Sequence, residues 1–187
     1  MSPYRIHIFG ASGSGTSTLG QALAHKLSLK YLDADDYYWR QTDPPYTLKH
    51  PPEERVRRLR AEMDDKAGWL LSGSVVSWGD ALLPLFSAAV FVTLPQRVRL
   101  HRLRERESQR YGDRCKVGGD MYRASKAFLE WAALYDIAGV EIRSRAMHEA
   151  WLQGLECPVL RLESLRPASD LADEVIAALA YQRELPQ

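Results

Sequence analysis

Residues 10–17 read GASGSGTS. The glycine spacing is that of a phosphate-binding loop, G-x-x-x-x-G-K-[ST], whose glycines let successive N–H groups turn toward a polyphosphate. The loop follows a strand-like run at 4–9 and precedes a helical pattern at 17–28, which favours phosphate binding over a plain glycine turn. The predicted contacts are Gly10, Ala11, Ser12, Gly13, Ser14, Gly15, Thr16, Ser17 and Thr18.

One position departs from this pattern, because Thr16 stands where the lysine is expected. That lysine places a point charge on the transferring phosphates, and one charge-assisted hydrogen bond contributes about 1.5–3 kcal/mol. The backbone cradle is intact without it, and Ser17 offers both a Mg²⁺-ligating hydroxyl and a helix cap. The sequence therefore predicts that another cation replaces the missing lysine.

The composition is that of an ordinary globular domain, with 187 residues, 45% apolar and 26% charged. The net charge of +1 argues against nucleic-acid binding, and no run approaches the ~20 apolar residues of a membrane span. The N-terminus does not resemble a secretion signal, and Cys115 and Cys157 have no metal-ligand spacing. We predict a cytoplasmic protein without a membrane partner, either a monomer or a homodimer.

Strand-like and helix-like patterns alternate along the whole chain. This alternation predicts a parallel sheet covered by helices on both faces, a three-layer α/β fold in a single domain over 1–187. The predicted strands are 4–9, 30–33, 68–74, 88–94 and 158–162, and the predicted helices are 17–28, a helix starting near 52, 96–110, 123–137, 143–153 and 169–183.

Two stretches, IHIFGASGSGTSTLGQALAHKL (6–27) and YLDADDYYW (31–39), resemble the start of the adenylate-kinase-related P-loop kinases. This group holds the nucleoside monophosphate, shikimate and gluconate kinases. The resemblance implies a P-loop NTPase fold with sheet order 2-3-1-4-5, a substrate-binding flap at 34–67 and an arginine-rich lid at 108–123. It also implies ATP and Mg²⁺ as cofactors. Archaeal cytidylate kinases of the group carry the same threonine, so Thr16 is compatible with activity.

Three carboxylates, Asp33, Asp35 and Asp36, crowd the carboxyl end of the second strand, where parallel sheets place ligand sites. They repel one another unless they share a cation, such as a Mg²⁺ held by Ser17 and, through water, by Asp33 or Asp35. The alternative is a solvated turn with a helix cap. This stretch resembles the D-x-D of shikimate kinases. The resemblance implies that Asp33 binds the metal and that Asp35 binds the acceptor or takes its proton, or that the two roles are exchanged.

The segment from Arg97 to Lys116 contains eight basic and three acidic residues, a local charge of 8 − 3 = +5. Lid closure brings arginines to a polyphosphate, and an arginine finger contributes ~10³–10⁵ in rate. We therefore hypothesise that lid arginines replace the missing lysine; the alternative is a solvated helix with i, i+4 ion pairs. The candidates are Arg102, Arg106, Arg110 and Arg114.

Further residues are candidates for binding the two substrates. Adenylate kinases carry D-G-[FY]-P-R after strand three, whereas this chain has LLSGSVVSWGD at 70–80, which favours a small polar acceptor. The resemblance places Arg166 beside the adenine, and helical spacing predicts Phe128, Trp131 and Tyr135 as core. Acceptor contacts are predicted for Asp36, Tyr37 and Trp39. They are also predicted for Arg55, with solvated surface as the alternative, and for Ser72, Gly73 and Ser74, with a plain strand-to-helix turn as the alternative.

The sequence thus predicts ATP- and Mg²⁺-dependent phosphotransfer to a small molecule, either a nucleoside monophosphate or a hydroxylated metabolite. One alternative is a nucleotide-binding regulatory protein that has lost efficient transfer, with Thr16 as the mark of that loss. The other is a kinase acting on nucleic-acid ends through the basic helix. No histidine shows the spacing of a metal site or a nucleophile pair, so none is assigned chemistry.

Overall fold

The computed structural model describes residues 4–63 and 68–184 and is built on one five-stranded parallel sheet. Its order β2-β3-β1-β4-β5 confirms the predicted fold. The strands are β1 Arg5–Gly10, β2 Lys30–Asp33, β3 Trp69–Ser72, β4 Ala88–Thr93 and β5 Val159–Glu163. The helices are α1 Thr16–Leu27, α2 Ala34–Tyr38, α3 Pro52–Met63, α4 Gln96–Tyr111, α5 Tyr122–Ala133, α6 Arg145–Leu152 and α7 Ala168–Glu184.

Alternation along β1 divides the core between the two faces of the sheet. Ile6 and Ile8 are fully buried in the cluster that α1 and α7 complete. The intervening His7 and Phe9 point to the opposite face, where their rings stack 4.8 Å apart, centroid to centroid. Because successive strand residues alternate sides, one apolar strand supports both helical layers.

The parallel register brings the ends of the central strands together. Gly10 lies opposite Val92 of β4, and Asp33 lies opposite Ser72 of β3. The glycine loop, the acidic stretch and the turn after β3 therefore start from one edge of the sheet. Ligand sites of open α/β sheets form at this edge.

Two local predictions differ from the structure. Helix α1 begins at Thr16 with Gly15 as its N-cap, so Ser17 lies inside the first turn and its prediction as a cap was wrong. The helix predicted at 123–137 ends at Ala133 and continues as a 3₁₀ segment, Leu134–Asp136. Gly15 takes the cap position because its φ of 92° lets the chain turn sharply into the helix.

The predicted flap, 34–67, comprises α2, a connecting segment and α3, and its residues 64–67 lie outside the described residues. The predicted lid, 108–123, comprises the end of α4, a 3₁₀ segment at Gly112–Cys115 and the start of α5. Both boundaries stay predictions. Within 4–63 and 68–184, no helix has the length and apolar character needed to cross a membrane.

Candidate active site

The glycines of the loop between β1 and α1 are required for two geometric reasons. A Cβ on Gly10 would lie 2.2 Å from the Val92 carbonyl oxygen, so only glycine lets β1 and β4 approach this closely. Gly13 and Gly15 have φ values of 80° and 92°, in the left-handed region that favours glycine. Positive φ values of this kind are what a loop needs to turn successive amides toward an anion.

The loop leads into a cavity of about 410 Å³ at the start of α1. The first backbone bond of the helix runs from Leu19 N to Gly15 O, at 2.9 Å, so the amides of 16–18 precede the helical ladder. Such amides and the positive end of the helix attract anions. The cavity is lined by Gly13, Gly15, Thr16, Ser17, Thr18, Leu19, Arg102, Leu103, Arg106, Ser164, Arg166, Pro167, Ala168 and Leu171.

The other predicted loop contacts lie behind this surface. Ala11 and Ser14 are buried, and the Ser14 hydroxyl has no hydrogen-bond partner among the described residues. The Ser14 amide donates to the Ala11 carbonyl at 3.1 Å, which closes the turn of the loop. Ser12 is partly exposed and does not line this cavity.

The four predicted lid arginines divide into two pairs. Arg102 and Arg106 line the loop cavity, and Arg102 Nη2 donates to the Ser164 carbonyl at 3.4 Å. Arg110 instead lies over the Tyr46 ring, 5.0 Å from its centroid. Arg114 forms a salt bridge of 2.7 Å with Asp120. The structure thus brings two of the four arginines to the loop, together with Arg166, which pairs with Glu174.

The aromatic stripe at 128–135, in α5 and the 3₁₀ segment that follows it, is less buried than predicted. Tyr135 is buried, but Phe128 and Trp131 are only partly so, and the prediction that they are core was wrong. The Arg106 guanidinium lies 5.7 Å from the Phe128 ring centroid, and that of Arg143 lies 4.6 Å from the Trp131 ring. Both rings therefore hold arginines at the edge of the site, by cation–π contact.

Ser17 and Asp33, the two residues predicted to hold Mg²⁺, are hydrogen-bonded to each other. The Ser17 hydroxyl donates to Asp33 Oδ2 at 3.1 Å, and Tyr31 donates to the same oxygen at 2.9 Å. Asp33 Oδ1 accepts from the Asp35 amide and caps α2, so the predicted alternative of a helix cap also holds for this residue. Burial raises the pKa of Tyr31 to about 12, which keeps it a donor. This set of hydroxyl and carboxylate oxygens fits Mg²⁺, which needs only one or two carboxylates beside substrate phosphates.

Asp35, in the first turn of α2, is within electrostatic reach of two arginines that are distant in the sequence. Its side chain is exposed to the cleft yet crowded by protein, and this desolvation raises its pKa, with the Asp33 charge adding to the effect. The charges of Arg143 and Arg106 act in the opposite direction. Desolvation likewise raises the pKa of Asp36. A carboxylate with a raised pKa is suited to taking a proton from an acceptor hydroxyl.

The flap encloses a second cavity of about 740 Å³. The predicted acceptor residues Asp35, Asp36, Tyr37 and Trp39 line it, whereas Arg55 does not. The remaining lining residues are Arg40, Gln41, Thr42, Pro45, Tyr46, Arg57, Arg58, Ala61 and Glu62.

Arg55 is held away from the second cavity. It is buried, its Nε donates to the His50 carbonyl at 2.6 Å, and its guanidinium lies 3.9 Å from the Tyr38 ring centroid. These contacts tie α2 to α3. Arg55 is therefore behind the surface of the cavity, and its predicted contact with the acceptor is not seen in the lining.

The turn after β3 is supported from beneath by two histidines. Ser72 is buried against Tyr31, with 2.7 Å between their hydroxyls. Gly73 has a φ of 93°, and its carbonyl accepts from His7 Nε2 at 2.9 Å. Ser74 Oγ lies 2.9 Å from His148 Nε2. The turn is thus fixed by side chains, as a pre-formed contact surface requires.

His148 completes a buried chain of polar groups. Its Nδ1 lies 2.7 Å from the Tyr135 hydroxyl. Burial lowers the pKa of His148 to about 3 and that of His7 to about 4, so both are neutral at pH 7. Sequence reasoning missed both histidines, because their partners are distant in the chain.

Two arginines at the loop were also missed. Arg99, Leu103 and Glu107 form the buried face of α4, and this i, i+4, i+8 spacing is a signal that could have identified Arg99. Arg143 precedes α6, and its Nη2 donates to Ser12 Oγ at 3.0 Å. Its neighbours in the chain contain no comparable signal. The roles assigned to all these site residues stay predictions.

Comparison with known proteins identifies a family that matches this chain. A family model described as an AAA domain, AAA_18, matches residues 6–123. The chain is 48% identical over 175 residues to "Uncharacterized protein YqaC" of Bacillus subtilis (strain 168). The matched region covers 94% of this chain and 97% of that protein.

Solved structures with the same fold include two kinases. The shikimate kinase from Acinetobacter baumannii in complex with shikimate has a TM-score of 0.59 at 16% identity, over 98% of this chain and 96% of that chain. A gluconokinase from Sinorhizobium meliloti 1021 has a TM-score of 0.53 at 18% identity, over 97% of this chain and 94% of that chain. The chain therefore belongs to the AAA domain family, and its fold is that of the P-loop kinases.

Proposed function

We propose that this protein transfers the terminal phosphoryl group of ATP, with Mg²⁺, to a hydroxyl group of a small anionic metabolite. The observation that carries the proposal is the arrangement around the glycine loop. On one side lie the Ser17–Asp33 contact and two arginines; on the other, Asp35 lies within electrostatic reach of Arg143. Donor and acceptor sites of a phosphoryl transfer require this adjacency, since catalysis is mainly positioning and charge stabilisation.

Each residue has a defined part in this proposal. The loop amides bind the phosphates, and bound Mg²⁺, held by Ser17 and Asp33, would neutralise phosphate charge. Asp35 orients the acceptor hydroxyl and takes its proton. Arg102 and Arg106 cover the nucleotide from α4. No covalent intermediate on the protein is needed.

The arginines on the acceptor side, which lie beside the carboxylates Asp35, Asp36 and Glu62, can hold an anionic acceptor. Arg143 lies beside Ser12, and Arg40, Arg57 and Arg58 line the flap cavity. The turn after β3 has neither the acid nor the arginine of an adenylate kinase, which argues against a nucleoside monophosphate. The two solved kinases are named for shikimate and gluconate, both small hydroxylated acids.

The test is ATP turnover scanned over hydroxylated acids, sugars, sugar acids and nucleoside monophosphates, with and without Mg²⁺. We expect Mg²⁺-dependent ADP release with one class of hydroxylated acid. Steady turnover would exclude the regulatory alternative, and salt-dependent retention on nucleic acid would favour the nucleic-acid-end kinase. Binding of ATP without turnover on any acceptor would contradict the proposal. The cytoplasmic location and the oligomeric state stay predictions.

A further inference from the structure

Ser12, in the middle of the glycine loop, is contacted by two arginines from outside the predicted lid stripe. Arg99 Nη1 donates to the Ser12 carbonyl at 3.5 Å, and Arg143 Nη2 donates to the Ser12 hydroxyl at 3.0 Å. Arg99 comes from α4 and Arg143 from the residues before α6. One loop residue therefore lies against two cationic side chains.

The Arg99 guanidinium is fully engaged by the protein. Its side chain is 1% exposed and pairs with Asp136. It also donates to the carbonyls of Leu94 and Ala132, at 3.1 and 3.5 Å. With these partners and Ser12, its charge is neutralised and its donors are occupied. Arg99 is a structural arginine.

The Arg143 guanidinium is engaged far less. Among the described residues, no carboxylate lies within 4.0 Å of its nitrogens, and its side chain contacts the Ser12 hydroxyl and the Trp131 ring. Burial lowers the pKa of Arg143, and the charge that acts most strongly in the other direction is that of Asp35. Arg143 is partly buried, and a cation removed from water without a paired carboxylate is less favourable until an anion binds beside it.

We infer that Arg143 supplies the positive charge that Thr16 lacks, by binding the terminal phosphate of ATP where the phosphoryl group passes toward Asp35. This inference rests on the proposed function. In the transfer, the bond from the terminal phosphorus to the oxygen that leaves with ADP breaks. A bond to the acceptor oxygen forms, and the acceptor proton passes to Asp35. Arg143 stabilises the charge on the moving group.

Arg106 is the competing candidate, since its charge also reaches Asp35. However, Arg106 is exposed on α4, while Arg143 is fixed by Ser12 on one side and Trp131 on the other. A fixed donor needs no reorganisation during the reaction. Arg143 therefore fits a loop that lacks its own lysine.

The test compares the affinities for ATP and ADP, each with Mg²⁺, so that no acceptor is needed. The variants are Arg143→Met, Thr16→Lys, their combination, and Arg143→Lys. We expect Arg143→Met to weaken ATP binding about tenfold or more, as loss of one charge-assisted contact does, and to change ADP binding less than about twofold. Thr16→Lys should restore the ATP preference of Arg143→Met, and Arg143→Lys should retain part of it.

Matched controls separate this role from a structural one. Arg145→Met removes an exposed arginine two residues away and should leave both affinities unchanged. Arg99→Met should lower the melting temperature and weaken ATP and ADP equally. If Arg143→Met does not fold, Thr16→Lys alone tests the inference. Because Arg143 already supplies the charge, the added lysine should raise the affinity for ATP by less than about twofold.

Three results with the variants would overturn the inference: an unchanged ATP-to-ADP affinity ratio in Arg143→Met, no restoration by Thr16→Lys, or a tenfold gain in ATP affinity from Thr16→Lys alone. A wild-type protein that binds both nucleotides but does not prefer ATP would also overturn it. A wild-type protein that binds neither nucleotide would instead contradict the proposed function. Failure of the inference and failure of the proposed function therefore give different results.

Discussion

The two sides of the cleft are built in different ways. The proposed nucleotide side is centred on one continuous stretch, 10–18, whose form depends on backbone geometry and on glycines at fixed positions. The acceptor side is assembled from α2, α3, the turn after β3 and the residues before α6, and its form depends on side chains. A site built from backbone can lose one side chain, such as the loop lysine, and keep its shape. A site built from side chains cannot.

The strongest test of this comparison removes a charge from the acceptor side. Asp35→Asn should lower turnover by ~10²–10⁴, the contribution of a positioned acid or base, because asparagine cannot accept the acceptor proton. The affinity for ATP should change less than about twofold. Steady-state kinetics and nucleotide titration measure both values. A comparable loss of ATP binding would mean that the two sides are not separable.

The matching test on the nucleotide side adds one methyl group to the backbone. In Gly10→Ala the new Cβ would lie 2.2 Å from the Val92 oxygen, so β1 and β4 must separate. We expect a loss of about 2–3 kcal/mol in the free energy of unfolding, as overpacking causes, together with weaker ATP binding. Urea denaturation measures the first effect.

Gly154→Ala is the control for this change. Its nearest neighbours would lie 3.5 Å and 3.9 Å from the new Cβ, in ordinary contact, and its φ is not positive. We expect its effect on the free energy of unfolding to stay within about 0.5 kcal/mol. Equal effects at the two glycines would contradict the backbone account of the loop.

Acid should destabilise the acceptor side through its histidines. Burial lowers the pKa of His7 to about 4 and of His148 to about 3, from an ordinary 6.5, so the unfolded chain binds more protons below pH 6.5. Stability should therefore fall as the pH drops from 6.5 toward 4, by up to about 1.4 kcal/mol per pH unit for each histidine.

The measurement is urea denaturation at pH 7, 6 and 5 for the wild type and for His148→Gln. The variant removes one of the two histidines, so unfolding should take up about one proton fewer. Its loss of stability should therefore be smaller by up to about 1.4 kcal/mol per pH unit. Subtracting the two slopes cancels the contribution of the carboxylates. Identical slopes would show that His148 does not titrate on unfolding as its burial requires.

The smallest expected effect is at the rim of the nucleotide side. Arg166 is exposed and pairs with Glu174. Arg166→Ala should raise the KM for ATP no more than about threefold, because exposed charge contacts contribute little in water. A rise above tenfold, with unchanged stability, would mean that Arg166 binds the nucleotide directly.

The same division explains what could be predicted from the sequence. The loop, the strand order and the Ser17–Asp33 contact follow from adjacent residues, periodicity and one resemblance. Arg143 could not be predicted, because its partner Ser12 is 131 residues away in the chain. Phe128 was wrongly predicted as core, since helical spacing does not distinguish a buried ring from one that holds an arginine.

The central claim is that the backbone of the glycine loop binds ATP although Thr16 replaces the lysine. Isothermal titration of ATP with Mg²⁺ into the wild type and Gly13→Ala tests it most directly, because an added Cβ at a φ of 80° would lie 2.9 Å from the Arg99 oxygen. We predict saturable wild-type binding with a Kd below about 1 mM, weakened at least about tenfold in the variant. No association of the wild type at millimolar ATP would contradict the account.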